Sequence, residues 1–191
     1  MEDIISRNVS KVLTCIADSC EKYGRKPDEI AIVAVTKGFP ATTIRRAVEK
    51  GFKHIGENRI QEAEPKITDL GHIATFHMLG HLQSNKARKA VQLFDVIQSV
   101  DSLNLAEDIN RHARTAGRKI ECFIQVNCSG EVQKSGVLPG QCLELVKKAS
   151  KLSQIILGGL MTIGPLSEDE KAISASFAQC RELFEVGQKI A

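Results

Sequence analysis

Short apolar runs alternate with amphipathic segments along most of the chain. Each run has the length and the β-branched content of a buried strand. The runs predict six strands, at 30–36, 52–56, 74–80, 96–100, 121–127 and 155–163. The segments around them have a helical period and predict helices at 3–24, 40–50, 59–69, 84–94, 102–116, 138–152 and 168–189. This alternation favours a parallel α/β sheet with right-handed crossovers.

The number of strand–helix units leaves the architecture open. Six units follow one leading helix, whereas a closed (β/α)8 barrel needs eight. The chain therefore has either an open, doubly wound sheet or a barrel without its last two units. No linker and no shift in composition divides the 191 residues, so we expect a single domain, residues 1–191.

Composition excludes several classes of protein. The net charge is only +3, with one tyrosine and no tryptophan, so we expect no nucleic-acid partner. The amino terminus lacks a signal peptide's apolar core and no apolar run is long enough for a bilayer, which predicts a cytoplasmic protein without a membrane partner. The six cysteines show no CxxC spacing and the five histidines no ligand pattern, so we expect reduced thiols and no metal site.

A lysine ends the first predicted strand, in the stretch IAIVAVTKGFP at 30–40. Lys37 is in step with Ala31, Val33 and Val35 on one face of the strand. If that face lines a barrel, the ammonium is poorly solvated, which favours the free amine that attack on a carbonyl requires. Lys37 is then a candidate Schiff-base lysine, for an aldehyde cofactor such as pyridoxal phosphate or for a keto substrate as in an aldolase. The alternative is a solvated lysine at a strand end.

Polar residues also follow the other predicted strands, at the end of the sheet where parallel α/β folds place their chemistry. Asn58 is either a site residue or an N-cap, because Gln61 stands at capping-box spacing. His77 is either a site residue or a buried histidine that the backbone satisfies. Met161 is more typical of a core than of a ligand contact. The long connection 128–137 is expected to be a surface loop in which Lys134 is a solvated charge.

Several motifs follow one another between about residues 30 and 165: VAVTKG, FKHIGENRIQE, FHMLGHLQSNK, VIQSVDSLNLAEDI, CFIQVNCSGEVQKSGV and GGLMTIG. Together they resemble the YggS/PROSC family of pyridoxal phosphate homeostasis proteins. The resemblance implies a (β/α)8 TIM barrel of PLP fold type III, like the alanine racemase N-terminal domain, with a leading N-terminal helix. Two later family segments, Ser-Met-Gly-Met-Ser and Arg-x-Gly-x-x-(I/L)-F-G, do not occur here. We therefore expect a barrel lacking its last two βα units and the phosphate-binding loops they carry.

The resemblance also implies a ligand and a role. Pyridoxal 5'-phosphate would be the cofactor, held as a Schiff base on Lys37, with Asn58, His77 and Met161 around it. The family role is to hold and deliver the cofactor, so no catalytic residue is assigned. An alanine racemase needs a lysine and a tyrosine as opposed bases, and the only tyrosine here is Tyr23 in the leading helix.

Further expectations concern partners and alternatives. PLP-dependent apoenzymes are the candidate recipients of the cofactor, and we expect a monomer because no extended apolar surface stretch stands out. The alternative function is a Schiff-base-forming barrel enzyme of the amino-acid racemase or aldolase type. A protein-interaction module, based on the loop 128–137, is the third hypothesis.

Overall fold

The structure is a computed structural model that describes residues 4–191. Residue 3, where the sequence predicts the leading helix to begin, lies outside the described residues. The helices are α1 (Ile4–Lys22), α2 (Ala41–Glu49), α3 (Ile60–Leu70), α4 (Ala87–Leu93), α5 (Leu103–Thr115), α6 (Pro139–Ala149) and α7 (Glu170–Gly187). The strands are β1 (Val33–Val35), β2 (His54–Glu57), β3 (Thr75–Met78), β4 (Val96–Val100), β5 (Ile120–Gln125) and β6 (Ile155–Met161). Single turns of 3-10 helix occupy Pro27–Glu29 and Ser84–Lys86.

All six strands are parallel and pair in chain order, from β1 to β6. A doubly wound sheet reverses its strand order at a switch point, and this sheet has no reversal. The order is that of consecutive strands in a (β/α) barrel, so the barrel expectation is confirmed and the open doubly wound sheet is wrong. One sheet contains all the described strands, and the single-domain assignment for residues 1–191 stays a prediction.

The hydrophobic core lies between the outer face of the sheet and the helices. Every strand contributes residues to it, and those without any exposed surface include Ile55, Phe76, Ile97 and Ile124. The helices pack small and aliphatic side chains, such as Ala63 of α3, against these strand residues. Since side chains alternate along a strand, the intervening residues point to the other side of the sheet, which we call the inner face.

The inner face carries both apolar and polar side chains. Val33 and Val35 of β1 lie there, because Ala34 between them packs against the core. The register Gly56↔His77 places His77 beside β2 on the same face.

Within residues 4–191 no helix is long and apolar enough to span a bilayer.

Candidate functional site

Lys37 lies in a tight turn directly after β1. The carbonyl of Thr36 accepts a hydrogen bond from the Phe39 N–H at 3.1 Å, which makes Lys37 and Gly38 the central residues of the turn. Gly38 has a φ of +74°, the conformation that the third residue of a type II turn requires and that glycine adopts without strain. The sequence VTKGF therefore fixes a turn that projects the lysine from the end of the strand.

The Lys37 side chain is exposed. The expectation of a poorly solvated ammonium is therefore wrong, and the reason is the position of β1. In the part of the chain that the structure describes, β1 pairs only with β2, so its inner face is open on the other side. Val35, two residues before Lys37, is 45% exposed for the same reason. The lysine presents its amine to solvent at the rim of the inner face.

Asn58 does not cap α3. The N-cap is Arg59, whose backbone is extended and whose side chain makes no capping hydrogen bond. The capping-box interpretation is therefore wrong. Asn58 is half-buried at the carboxyl end of β2. The register Val35↔Gly56 places Lys37 and Asn58 each two residues beyond a paired position, so they lie at neighbouring strand ends.

A buried ion pair lies directly below these two residues. Glu57 has no exposed surface, and its Oε1 accepts hydrogen bonds from Thr36 Oγ1 and from Lys66 Nζ, both at 2.7 Å. Lys66 Nζ also donates to the Thr36 carbonyl at 2.9 Å. The contacts link β1, β2 and α3, and they neutralise a carboxylate that burial alone would penalise. We call Thr36, Glu57 and Lys66 the Glu57 network.

His77 is buried on the inner face of β3, between two polar neighbours. Its Nδ1 lies 2.9 Å from Gln98 Nε2, and its Nε2 lies 3.0 Å from His54 Nδ1. With the Gln98 amide oriented in this way, Nδ1 accepts and Nε2–H donates to His54. Burial, reinforced by the neighbouring His54 ring, lowers the pKa of His77 to about 4, so the ring is neutral at pH 7. Both ring nitrogens are thus satisfied, by side chains rather than by the backbone.

Met161 is the last residue of β6 and is half-buried. Its carbonyl accepts a hydrogen bond from the Val126 N–H at 2.8 Å, and the next residue, Thr162, donates its hydroxyl to the Val126 carbonyl at 2.8 Å. β6 is the other edge of the described sheet. The structure therefore places Lys37 and Asn58 just after β1 and β2, His77 within the next strand, β3, and Met161 at the opposite edge of the sheet.

A cleft of about 960 Å³ opens beside β6, between the inner face and α7. Its walls combine Gln98 and Phe123 of the inner face with Met161 and Thr162 at the strand end, and Phe177 and Phe184 of α7 line the other side. Its volume falls within the range of small-molecule sites. The cleft reaches Met161, and Lys37 does not line it.

The loop 128–137 folds back onto the end of β5. The Asn127 side chain donates to the carbonyls of Glu131 and Lys134 at 2.9 and 3.2 Å. Lys134 Nζ in turn donates to the Gly164 carbonyl at 2.6 Å and pairs with Glu131, and this pairing lowers the pKa of Glu131. The expectation of a solvated Lys134 is wrong, since its side chain is only 20% exposed and ties together the loops that follow β5 and β6.

Sequence reasoning assigned no role to the residues that support the site, although Glu57 and Gln98 stand among the polar residues of the strand ends. Glu57, Lys66, His54 and Gln98 make its supporting hydrogen bonds. One signal was present, because a glutamate that continues the apolar run of β2 needs a buried partner. Lys66 carries no such signal, since its contact with Glu57 depends on how α3 packs against β1 and β2. Across residues 4–191, no group of three or more His, Cys, Asp or Glu side chains is placed to hold a metal ion.

These features define a class of protein. The family model described as "Alanine racemase, N-terminal domain" matches residues 19–190. A solved alanine racemase from Corynebacterium glutamicum has a TM-score of 0.68 and 14% identity, over 82% of this chain and 45% of that one. At this identity the similarity is one of fold alone, a parallel sheet of strands alternating with helices.

Curated relatives narrow the class. The pyridoxal phosphate homeostasis protein of Pseudomonas aeruginosa is 34% identical over 181 residues, 94% of this chain and 79% of the relative. The protein of the same name from Escherichia coli K12 is 34% identical over 170 residues, 87% of this chain and 72% of the relative. The chain belongs to the pyridoxal phosphate homeostasis protein family, and the resemblance inferred from its motifs is confirmed.

A solved relative is PipY from Synechococcus elongatus PCC7942, which is 39% identical over 91% of this chain and 82% of PipY. The TM-score is 0.81 for PipY without PLP and 0.76 for PipY with PLP bound. A crystal structure of an unknown protein from Bifidobacterium adolescentis has a TM-score of 0.91 at 34% identity, over 97% of this chain and 81% of that one.

Proposed function

We propose that this protein binds pyridoxal 5'-phosphate and takes part in its homeostasis, with Lys37 as the amine that forms a Schiff base with the cofactor aldehyde. The single observation that carries the proposal is the position of Lys37, an exposed primary amine held by a turn at the carboxyl end of β1. Family membership and the PLP-bound structure of PipY support the choice of ligand over a keto substrate.

The chemistry of the described residues fits this ligand. When bound, pyridoxal phosphate supplies an aldehyde that condenses with a primary amine and a conjugated ring that absorbs visible light. Lys37 offers the amine, and Asn58 has an amide that capping does not use. Met161 and Phe123 give the neighbouring cleft an apolar wall. We assign no residue to the phosphate group.

The four proposed cofactor-binding residues have different tasks. Lys37 provides the covalent bond, and Asn58 is a hydrogen-bonding neighbour at the next strand end. Met161 stands at the opposite edge of the described sheet, so its assignment as apolar cover for the ligand rests on the family resemblance. His77 is committed to His54 and Gln98, so we assign it to shaping the inner face below the ligand rather than to bonding it.

We further propose a carrier rather than an enzyme. Racemisation needs a second base on the face of the substrate opposite the lysine. Tyr23, the one tyrosine, is 71% exposed just after α1 and is not part of the strand ends. In this proposal the protein works as a cytoplasmic monomer that passes the cofactor to PLP-dependent apoenzymes. The measurement is transfer from the loaded protein to an apoenzyme, and turnover of alanine or serine at enzyme-like rates would contradict it.

The test of the ligand is an absorbance spectrum with added pyridoxal phosphate. We expect a visible band that borohydride removes, and peptide mass analysis that places the reduced adduct on Lys37. Lys37→Ala should show no band, whereas Lys50→Ala, which removes another exposed lysine, should behave as the wild type. A band that persists in Lys37→Ala, or no band in the wild type, overturns the proposal.

A further inference from the structure

Helix α3 holds the backbone on both sides of Lys37. Lys66 Nζ donates to the carbonyl of Thr36, the residue before Lys37, at 2.9 Å. Glu62 Oε2 accepts a hydrogen bond from the N–H of Gly38, the residue after it, at 3.1 Å. Glu62 and Lys66 are four residues apart, so they lie on the same face of α3. One helical face thus contacts both peptide groups that flank the lysine.

Thr36 is held by two hydrogen bonds, one through its side chain and one through its carbonyl. Glu57 Oε1 receives both the Thr36 hydroxyl and the Lys66 ammonium, so the side chain and the carbonyl of Thr36 are held by the same ion pair. The Lys66 side chain is 11% exposed and that of Glu57 is 0% exposed. A buried ion pair is a weak source of stability, because removing two charges from water offsets their attraction. Its geometry, in contrast, is restrictive, which suits a group that fixes a position.

We propose that Glu57, Glu62 and Lys66 form a clamp, the α3 clamp, that positions Lys37 for reaction with an aldehyde. The inference rests on the proposed function and adds positioning residues to it. The Lys37 side chain is exposed rather than enclosed by neighbouring side chains. The direction from which its amine approaches a carbonyl therefore depends on the backbone turn at 36–39, and α3 fixes that turn from both ends.

The buried pair of the clamp acts on geometry rather than on the charge of the amine, and the charge of Glu62 is offset by Arg59, 3.6 Å away. The charges of Glu57 and Lys66 cancel each other at 2.7 Å, so the pair adds little net field at the lysine. Displacing a reacting group by about 1 Å can slow a reaction by about a hundredfold. We therefore expect the loss of the clamp to slow capture of the aldehyde by about tenfold or more.

The test uses two clamp variants, one double and one single, and a double variant as the control. Glu57→Gln with Lys66→Met removes the buried pair without leaving a lone buried charge, and Glu62→Gln tests the second contact. The control is Glu64→Gln with Lys89→Met, which removes another ion pair between α3 and a neighbouring helix, with side chains 44% and 42% exposed. The measurements are the rate of appearance of the visible band, the Kd for pyridoxal phosphate, and hydrogen exchange of segment 36–40 in the protein without ligand.

We expect both clamp variants to form the band more slowly and to exchange faster at 36–40, while the control matches the wild type. Circular dichroism and the unfolding temperature establish that each variant is folded. A clamp variant with wild-type rate and wild-type exchange overturns the clamp. If the wild type forms no band, the proposed function fails, and hydrogen exchange still decides whether α3 holds the turn.

Discussion

Lys37 and Glu57 carry opposite charges at neighbouring strand ends, and the fold exposes the lysine and buries the glutamate. Glu57 is fully buried and receives two donors on one oxygen, from Thr36 and Lys66. Because Lys66 neutralises Glu57, the carboxylate does not need Lys37 as its partner. Lys37 therefore remains exposed, and the hydrogen bonds of the turn act on it through its backbone.

His77 gives a prediction for the pH dependence of stability. Its pKa is about 4 in the folded protein, mainly because of burial, and about 6.5 in an unfolded chain. Between these values the unfolded state binds more protons, so the free energy of unfolding should fall as the pH decreases from 7 to 4. We expect His77 to account for about 3 kcal/mol of that fall, measured by urea unfolding at each pH.

The control for this effect is another histidine. His77→Gln should weaken the pH dependence between 7 and 4, although it also lowers stability at pH 7 by disturbing the bonds to His54 and Gln98. His72→Gln removes an exposed histidine and should leave the pH profile unchanged. Equal pH profiles for the wild type and His77→Gln would show that His77 is not the group responsible.

At the level of elements, the periodic pattern predicted every strand and every α-helix, and local contacts decided their ends. The predicted first strand, 30–36, is reduced to Val33–Val35, the residues that pair with β2, because the chain enters the hydrogen-bonded turn at Thr36. The predicted helix 84–94 begins as a 3-10 turn before α4. Such ends depend on tertiary hydrogen bonds, which have no period in the sequence.

Side-chain roles within elements were harder to predict than the elements. Ser102 caps α5 by accepting the Leu105 N–H, as a serine before a helix indicates. Asn58 has the same signature before α3 and does not cap it. Lys134 looked solvated because its loop is polar, yet it reaches Gly164 across thirty positions of the chain. A contact of that sequence separation is fixed by the fold and leaves no local pattern.

The loop 128–137 gives a prediction at this scale. Gly136 has a φ of +127°, and a Cβ there would lie 2.7 Å from the Asn127 nitrogen, a backbone atom that cannot move aside cheaply. Gly136→Ala should therefore displace the loop from the end of β5 and lower the free energy of unfolding by about 2 kcal/mol or more, measured by urea denaturation.

Gly130 supplies the matched control in the same loop. It also has a positive φ, of +72°, but a Cβ there would meet nothing within 4 Å. Gly130→Ala should cost only the backbone strain, about 1 kcal/mol. Equal losses in the two variants would mean that the close approach of Gly136 to Asn127 does not hold the loop in place.

At the scale of the molecule, strand order settled what periodicity left open. Open and closed parallel sheets share the same alternation of strands and helices, and they differ only in which strands are neighbours. The sequential order from β1 to β6 is the barrel's. The inner face is covered least at its two described edges, where Val35 of β1 is 45% and Ile156 of β6 is 51% exposed.

Binding of the cofactor should stabilise the whole molecule, because a ligand that binds only the folded state shifts the unfolding equilibrium. At a free concentration one hundred times the Kd, pyridoxal phosphate should add about 2.7 kcal/mol. For a protein of 191 residues this corresponds to a rise of about 5–10 °C in Tm, measured by calorimetry or by circular dichroism.

Lys37→Ala should lose most of this rise at the same ligand concentration, since it cannot form the covalent bond. Pyridoxine phosphate, which has a hydroxymethyl group in place of the aldehyde, should give the wild type a similarly small rise. A full rise with Lys37→Ala or with the alcohol would show that binding does not depend on the bond between Lys37 and the aldehyde, and that the turn at the end of β1 has another purpose.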